Sequence, residues 1–182
     1  MFSSEVTKRL YLLACQFRHA IDFSFEMGEF EKNIRFQTFP RGCCGDTCYL
    51  LAEYLRTNGF ETVYVCGRCR DQSHAWLVLK DDRVKMPQEQ FYTIPEEIRT
   101  VLYQYGEDIQ QDEKADILHY AAGDVERGIV IDITGDQFGE SAIYVGEFDS
   151  FHKKFEFDFA HDMYVLEDAR LISLYRIVLQ HI

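Results

Sequence analysis

The chain has 182 residues, of which 47% are hydrophobic and 15% aromatic, enough for one well-buried domain and too apolar for a disordered segment. Its net charge of −12 argues against holding nucleic acid through a general electrostatic footprint and is compatible with a basic partner or substrate. No run free of Asp, Glu, Lys and Arg exceeds eight residues, far below the roughly 20 apolar residues of a membrane span. The opening Met1–Arg9 stretch lacks the basic-then-apolar order of a signal peptide, so a cytoplasmic protein without membrane contact is expected. No repeat, low-complexity run or linker divides the chain, and a single domain over residues 1–182 is expected.

Residues 3 to about 22 read as a helix, with Val6, Leu10, Leu13, Ala14, Phe17 and Ile21 forming its apolar stripe and Cys15 a core thiol. Residues 23–38 show no period, and Phe36 and Phe39 are expected to anchor the loop that follows. That loop, Phe39-Pro40-Arg41-Gly42-Cys43-Cys44-Gly45, turns at Pro40 and at two glycines. A helix then runs from about 44 to 57, with Leu50, Leu51, Tyr54 and Leu55 at one-turn spacings and Asn58-Gly59 as its stop. Thr62–Cys66 is a β-branched strand. Ser73–Leu79 is a second, with His74, Trp76 and Val78 on one face and Ala75, Leu77 and Leu79 on the other. Both faces are apolar, so this strand is expected to be central.

Gly128–Thr134 is a third strand, interrupted by Asp132. The long stretch between the second and third strands far exceeds the 2–5 residues of a hairpin loop. It carries helical period at Ile98, Leu102 and Tyr105 and again near Ile117 and Leu118. Residues 85–127 are therefore expected to be a helical insertion, either over the site or packed away from it. A strand around 142–145, aromatic alternation at Phe151, Phe155, Phe157 and Phe159, and an amphipathic helix over 166–179 complete the chain. The helix has Leu171, Leu174, Ile177 and Val178 on its core side.

A cysteine pair where a glycine-rich loop becomes a helix start is chemically placed. Unpaired N–H groups and the helix dipole favour the thiolate, and the same backbone donors can hold an oxyanion. With a histidine heading a central strand and an aspartate inside the next, the set matches the Cys-His-Asp arrangement of acyl transfer. Asp132 amid Ile129, Val130, Ile131 and Ile133 needs a partner to be buried at all. His74 is expected beside the cleft, so that replacing it would spare the fold. Asp136 and Gln137 either line the cleft or make a turn. The six cysteines at 15, 43, 44, 48, 66 and 69 leave another reading open, since Cys44-x-x-x-Cys48 and Cys66-x-x-Cys69 have the spacing of zinc half-sites.

Gly42-x-Cys44, the helix to Leu55-Arg56 and Gly59, Ser73-His74-Ala75-Trp76 and Ile131-Asp132-x-Thr134 together resemble the transglutaminase-like branch of the papain-like cysteine enzymes. The resemblance spans about residues 36–82 and 128–138. It implies an α+β fold with the cysteine helix on an antiparallel sheet, and a catalytic triad of Cys44, His74 and Asp132. It implies no cofactor and no metal for the chemistry, although some eukaryotic transglutaminases use calcium. Gln37 takes the place of a second oxyanion donor, and Gly42, Trp76 and Gln137 stand at oxyanion or substrate-binding positions. The implied activity is cysteine-dependent hydrolysis of an amide in a protein or peptide, as a protease or a glutamine or asparagine deamidase. Acyl transfer to an amine uses the same residues. A non-catalytic interaction module on the same fold and a zinc-stabilised module remain the readings from other classes.

Overall fold

The computed structural model of the chain describes residues 4–84, 120–163 and 165–182. Its first element, α1 (Ser4–Glu26), buries Leu10, Ala14, Phe17 and Ile21 of the expected stripe together with Ala20, leaves Val6, Leu13 and Cys15 half-buried, and continues one turn further than the period suggests. After it the chain wanders through turns to a single 3-10 turn at Phe36–Thr38. There Phe36 and Phe39 are buried and stack on each other, ring centroids 5.9 Å apart. The next helix, α2 (Cys44–Thr57), starts at the second cysteine. It ends where Gly59, at φ +86°, lets the Gly59 and Phe60 N–H groups reach back to the Arg56 and Leu55 carbonyls.

Two strands follow, β1 (Thr62–Cys69) and β2 (Gln72–Leu79), joined by a two-residue turn at Arg70 and Asp71. The strands therefore run further into the hairpin than the β-branched run alone indicates. A four-residue helix, α3 (Ala122–Val125), leads to β3 (Val130–Asp132). Then come β4 (Tyr144–Gly146), β5 (Glu156–Asp162) and the closing helix α4 (Ala169–Leu179). The strands form one antiparallel sheet in the order β4-β3-β2-β1-β5, with β2 in the middle as its two apolar faces require. The helices expected near 98–105 and 117–118 lie outside the described residues.

Each face of the sheet carries its own core. The alternation within β2 sends Ala75, Leu77 and Leu79 to the face covered by α1, α2 and α4. Trp76 and Val78 go to the other face, where Val84, Tyr120, Val125, Phe151 and Phe155 cover them. β3 is shorter than the apolar run predicts for a local reason. The Asp132 carboxylate accepts the Thr134 N–H at 2.8 Å, an Asx-type turn that ends the strand and starts the 3-10 turn Gly135–Phe138. Among the described residues no helix is long and apolar enough to cross a membrane.

Arg18 of α1 ties these parts together. It is 5% exposed, and its guanidinium donates to the Ile133 carbonyl at 2.6 Å and to both Asp136 carboxylate oxygens at 2.7 and 3.1 Å. The same group lies 4.6 Å over the Phe39 ring. It thus joins α1 to the turn after Asp132 and to the loop before the cysteines. Arg18→Met is expected to lower the unfolding free energy by about 3 kcal/mol, the low end for breaking a buried ion pair, because Asp136 can still be reached by water. Urea unfolding measures this, and a variant as stable as the wild type would remove Arg18 from the account.

Candidate active site

The loop before α2 places the thiol. Gly42 sits at φ +71°, which a side chain would strain, and the Cys43 carbonyl accepts the Thr47 N–H at 2.8 Å to open the helix. Cys43 is buried with its sulfur against the Pro40 carbonyl at 3.2 Å. Cys44, the first helical residue, is the half-buried one. The two thiols consequently differ in chemistry. Burial pushes Cys43 up to about 12. Burial acts upward on Cys44 as well, but His74 and the Ala75 and Gly45 backbone N–H groups outweigh it and bring that thiol below its ordinary value. Cys48 moves well up and Cys66 up to about 11, both through burial.

His74 comes from the central strand, and β3 brings Asp132 to it. His74 Nε2 lies 2.8 Å from Asp132 Oδ2, while Asp132 Oδ1 accepts the Thr134 N–H at 2.8 Å and its hydroxyl at 3.2 Å. Burial would neutralise the imidazole, yet the Asp132 carboxylate and the Cys44 thiol hold its pKa up at about 9. Burial would likewise protonate Asp132, but His152, His74 and the Thr134 N–H keep the carboxyl far below its usual range. His74 Nδ1 has no hydrogen-bond partner of good geometry among the described residues, and the Cys44 thiol is close enough to the ring to raise its pKa.

Contrary to the expected position beside the cleft, His74 is fully buried. Phe138, Phe151, Phe155 and Trp76 surround its ring at centroid distances of 5.0, 5.6, 5.3 and 5.7 Å. A dry wall of this kind strengthens the charge pairing with Asp132. Cys44 is the one member of the triad that is only half-buried.

The remaining candidates have specific places. Trp76 is 2% exposed and packs among Phe148, His152 and Phe155, so it dries the histidine instead of meeting substrate at the surface. Gln37 lies on the 3-10 turn with its amide donating to the Glu31 carbonyl at 2.6 Å, on an exposed part of its own loop. The Gln137 amide caps its own turn at the Thr134 carbonyl, 3.0 Å away. Asp136 is taken up by Arg18. Asp46, an acid in the first turn of α2 that opposes a nearby thiolate, is neutralised by the Arg170 guanidinium of α4 at 2.7 and 3.0 Å.

Among the described residues the cysteine pairs do not assemble a metal site. Cys66 and Cys69 lie on one continuous strand at odd separation, which sends Cys66 to the α2 face and Cys69 to the other. Among the described residues the group of side chains close enough to share an ion is His74, Asp132 and His152, which contains no cysteine. The chain has been compared with protein-family models, curated proteins and solved structures, and none matches it.

His152 and Asp149 are the site residues that sequence reasoning passed over. His152 is fully buried at the turn before β5, 3.5 Å from Asp132. A readable signal was present: Asp149-x-x-His152 is a turn-capping spacing inside the aromatic run from Phe148 to Phe155.

Proposed function

We propose that the chain is a cysteine-dependent amide hydrolase of the papain-like, transglutaminase-like kind, acting on a protein or peptide. The observation that carries this reading is geometric: His74 Nε2 lies 2.8 Å from Asp132 Oδ2 across adjacent strands, and Cys44 opens α2 close enough to the ring for the thiol to be drawn down and the imidazole up. A helix-start thiol beside a carboxylate-anchored imidazole is the arrangement of acyl transfer.

The steps follow from the groups present. The Cys44 thiolate attacks the amide carbonyl carbon, and the carbonyl electrons pass to its oxygen. As the C–N bond breaks, the His74 imidazolium gives its proton to the departing amine, leaving a thioester on Cys44. Neutral His74 then takes a proton from water, whose oxygen attacks the thioester. The acid is released and the thiolate–imidazolium pair returns. Asp132 holds the ring orientation and its charge throughout. The cavity of about 510 Å³ between α2 and α4, lined by Asp46, Tyr49, His161, Leu166, Arg170 and Leu171, includes none of the three triad side chains and carries no part of this reading. Six unpaired thiols fit a reducing compartment, the cytoplasm, and the chemistry calls for no cofactor.

The test is a library of electrophilic acyl probes that mimic amides, read by mass spectrometry of the intact protein and its peptides. The expected result is one acyl adduct on Cys44, absent from Cys44→Ser and discharged by water. Faster discharge by added primary amine would move the activity to acyl transfer. No adduct at Cys44 with any probe would overturn the reading.

A further inference from the structure

Asp132 has two histidines on one oxygen. His74 Nε2 lies 2.8 Å from Oδ2 and His152 Nε2 lies 3.5 Å from the same atom. The His152 ring is itself anchored. Its Nδ1 is 2.7 Å from Asp149 Oδ1, an oxygen that also accepts the Phe151 and His152 backbone N–H groups at 3.1 and 3.0 Å. Aromatic rings fix the imidazole from the sides, Phe151 at 5.0 Å, Trp76 at 5.1 Å and Tyr144 at 5.4 Å between centroids. The titratable groups facing it are therefore Asp132, Asp149, His74 and Tyr144, the last with its hydroxyl donated to the Glu147 carbonyl.

This placement has a consequence for Asp132. Its Oδ1 is tethered by Thr134, while its Oδ2 serves His74. The ring of His152 packs beside Oδ2, with its Nε2 3.5 Å away. Its Nε2 is buried with no hydrogen-bond partner of good geometry among the described residues, and Asp132 Oδ2, at 3.5 Å, is the charged oxygen it faces. A buried polar edge with no other use, held at a fixed tilt by a second acid, is an orienting device.

We propose that His152, held by Asp149, is a positioning residue that keeps the Asp132 carboxylate aimed at His74. The inference rests on the Cys44–His74–Asp132 reading above. It extends the chain of contacts to Cys44–His74–Asp132–His152–Asp149, in which Asp132 orients the base and His152 orients Asp132. His152 touches neither the sulfur nor the acyl group.

The test compares His152→Phe, His152→Gln and Asp149→Asn by the rate at which iodoacetamide alkylates Cys44 at about pH 6.5 and about pH 10, the latter a pH where a thiol ionises without help. His152→Phe is expected to slow labelling at the lower pH by about tenfold, as loss of a buried polar contact to a charged group does, and to leave the higher-pH rate unchanged. Glutamine can offer an N–H toward Oδ2, and is expected to recover most of the loss. Asp149→Asn, which leaves the ring in place, is expected to lose about threefold at the lower pH only, being one step removed. It carries the test if His152→Phe does not fold. Equal changes at both pH values, or none in any variant, would overturn the positioning role while leaving the triad intact. A wild-type Cys44 with no enhanced reactivity at the lower pH would instead sink the triad reading and this inference with it. Stoichiometric zinc in the purified wild type, lost in His152→Phe, would replace the positioning role by a metal site.

Discussion

His74→Ala is expected to slow alkylation of Cys44 at pH 7 by up to about thirtyfold, because a thiol near its ordinary pKa of about 8.5 is only a few per cent ionised there. The loss has no compensation. Burial acts upward on the Cys44 thiol, and the imidazole is the first of the groups that overcome it. Turnover is expected to fall further, on the order of 10³- to 10⁴-fold, since the leaving amine loses its proton donor as well. The fold is affected too, against the expectation from sequence that it would be spared. His74 is fully buried among four aromatic rings, and its removal leaves a cavity beside a buried carboxylate. The expected cost is about 3–5 kcal/mol, a large share of a typical domain's stability. Urea unfolding alongside alkylation separates the two effects. A variant that labels at the wild-type rate would show that His74 does not ionise Cys44.

Asp132→Asn is expected to produce the second large effect, chiefly on pH dependence. The sign follows from the directions of the shifts. His74 is raised to about 9, so its contribution to stability is full below its unfolded value of about 6.5 and disappears as the pH climbs through 9. Asp132 is held down, so its contribution is present above an unfolded value of about 3.9 and fades as the pH falls. The wild type is therefore expected to be most stable between about pH 5 and 7, and the amide substitution removes the cause of both limbs at once. Stability near pH 6 should drop by about 2–4 kcal/mol, and the curve should flatten. Turnover should fall on the order of 10³- to 10⁴-fold, since the imidazole loses both its orientation and its charge partner. An Asp132→Asn variant with the wild-type pH–stability curve would break the link between Asp132 and His74.

The parts of the site visible in the sequence are those that regular structure encodes. Cys44 was readable because Gly42, Gly45 and the leucines of α2 mark where a loop becomes a helix. His74 and its face were readable because β2 alternates cleanly, and Asp132 because an acid in an aliphatic run demands a partner. What stayed hidden depends on long-range meeting. Arg18 looks like any polar residue of an amphipathic helix, and only the fold shows that Asp136, Ile133 and Phe39 converge on it. His152 lies in a short turn with no period, among phenylalanines that read only as an aromatic alternation. The burial of His74 was also illegible locally, because Phe138, Phe151 and Phe155 reach it from more than sixty residues away. The zinc alternative arose from spacing alone, and the length of β1 decides against it by turning Cys66 and Cys69 to opposite faces.

The most direct measurement is the pH–rate profile of limiting iodoacetamide labelling, resolved by mass spectrometry for each of the six cysteines. Cys44 is expected to label before Cys43, Cys48 and Cys66, and to keep a high rate at neutral pH, well below the range where an ordinary thiol ionises. Turnover of a probe substrate should share that acid limb, then fall as the pH passes about 9 and His74 loses its proton, while alkylation of the bare thiolate continues. First labelling at Cys66 or Cys69, or a Cys44 profile that rises only as an ordinary thiol does, would contradict the thiolate–imidazolium pair.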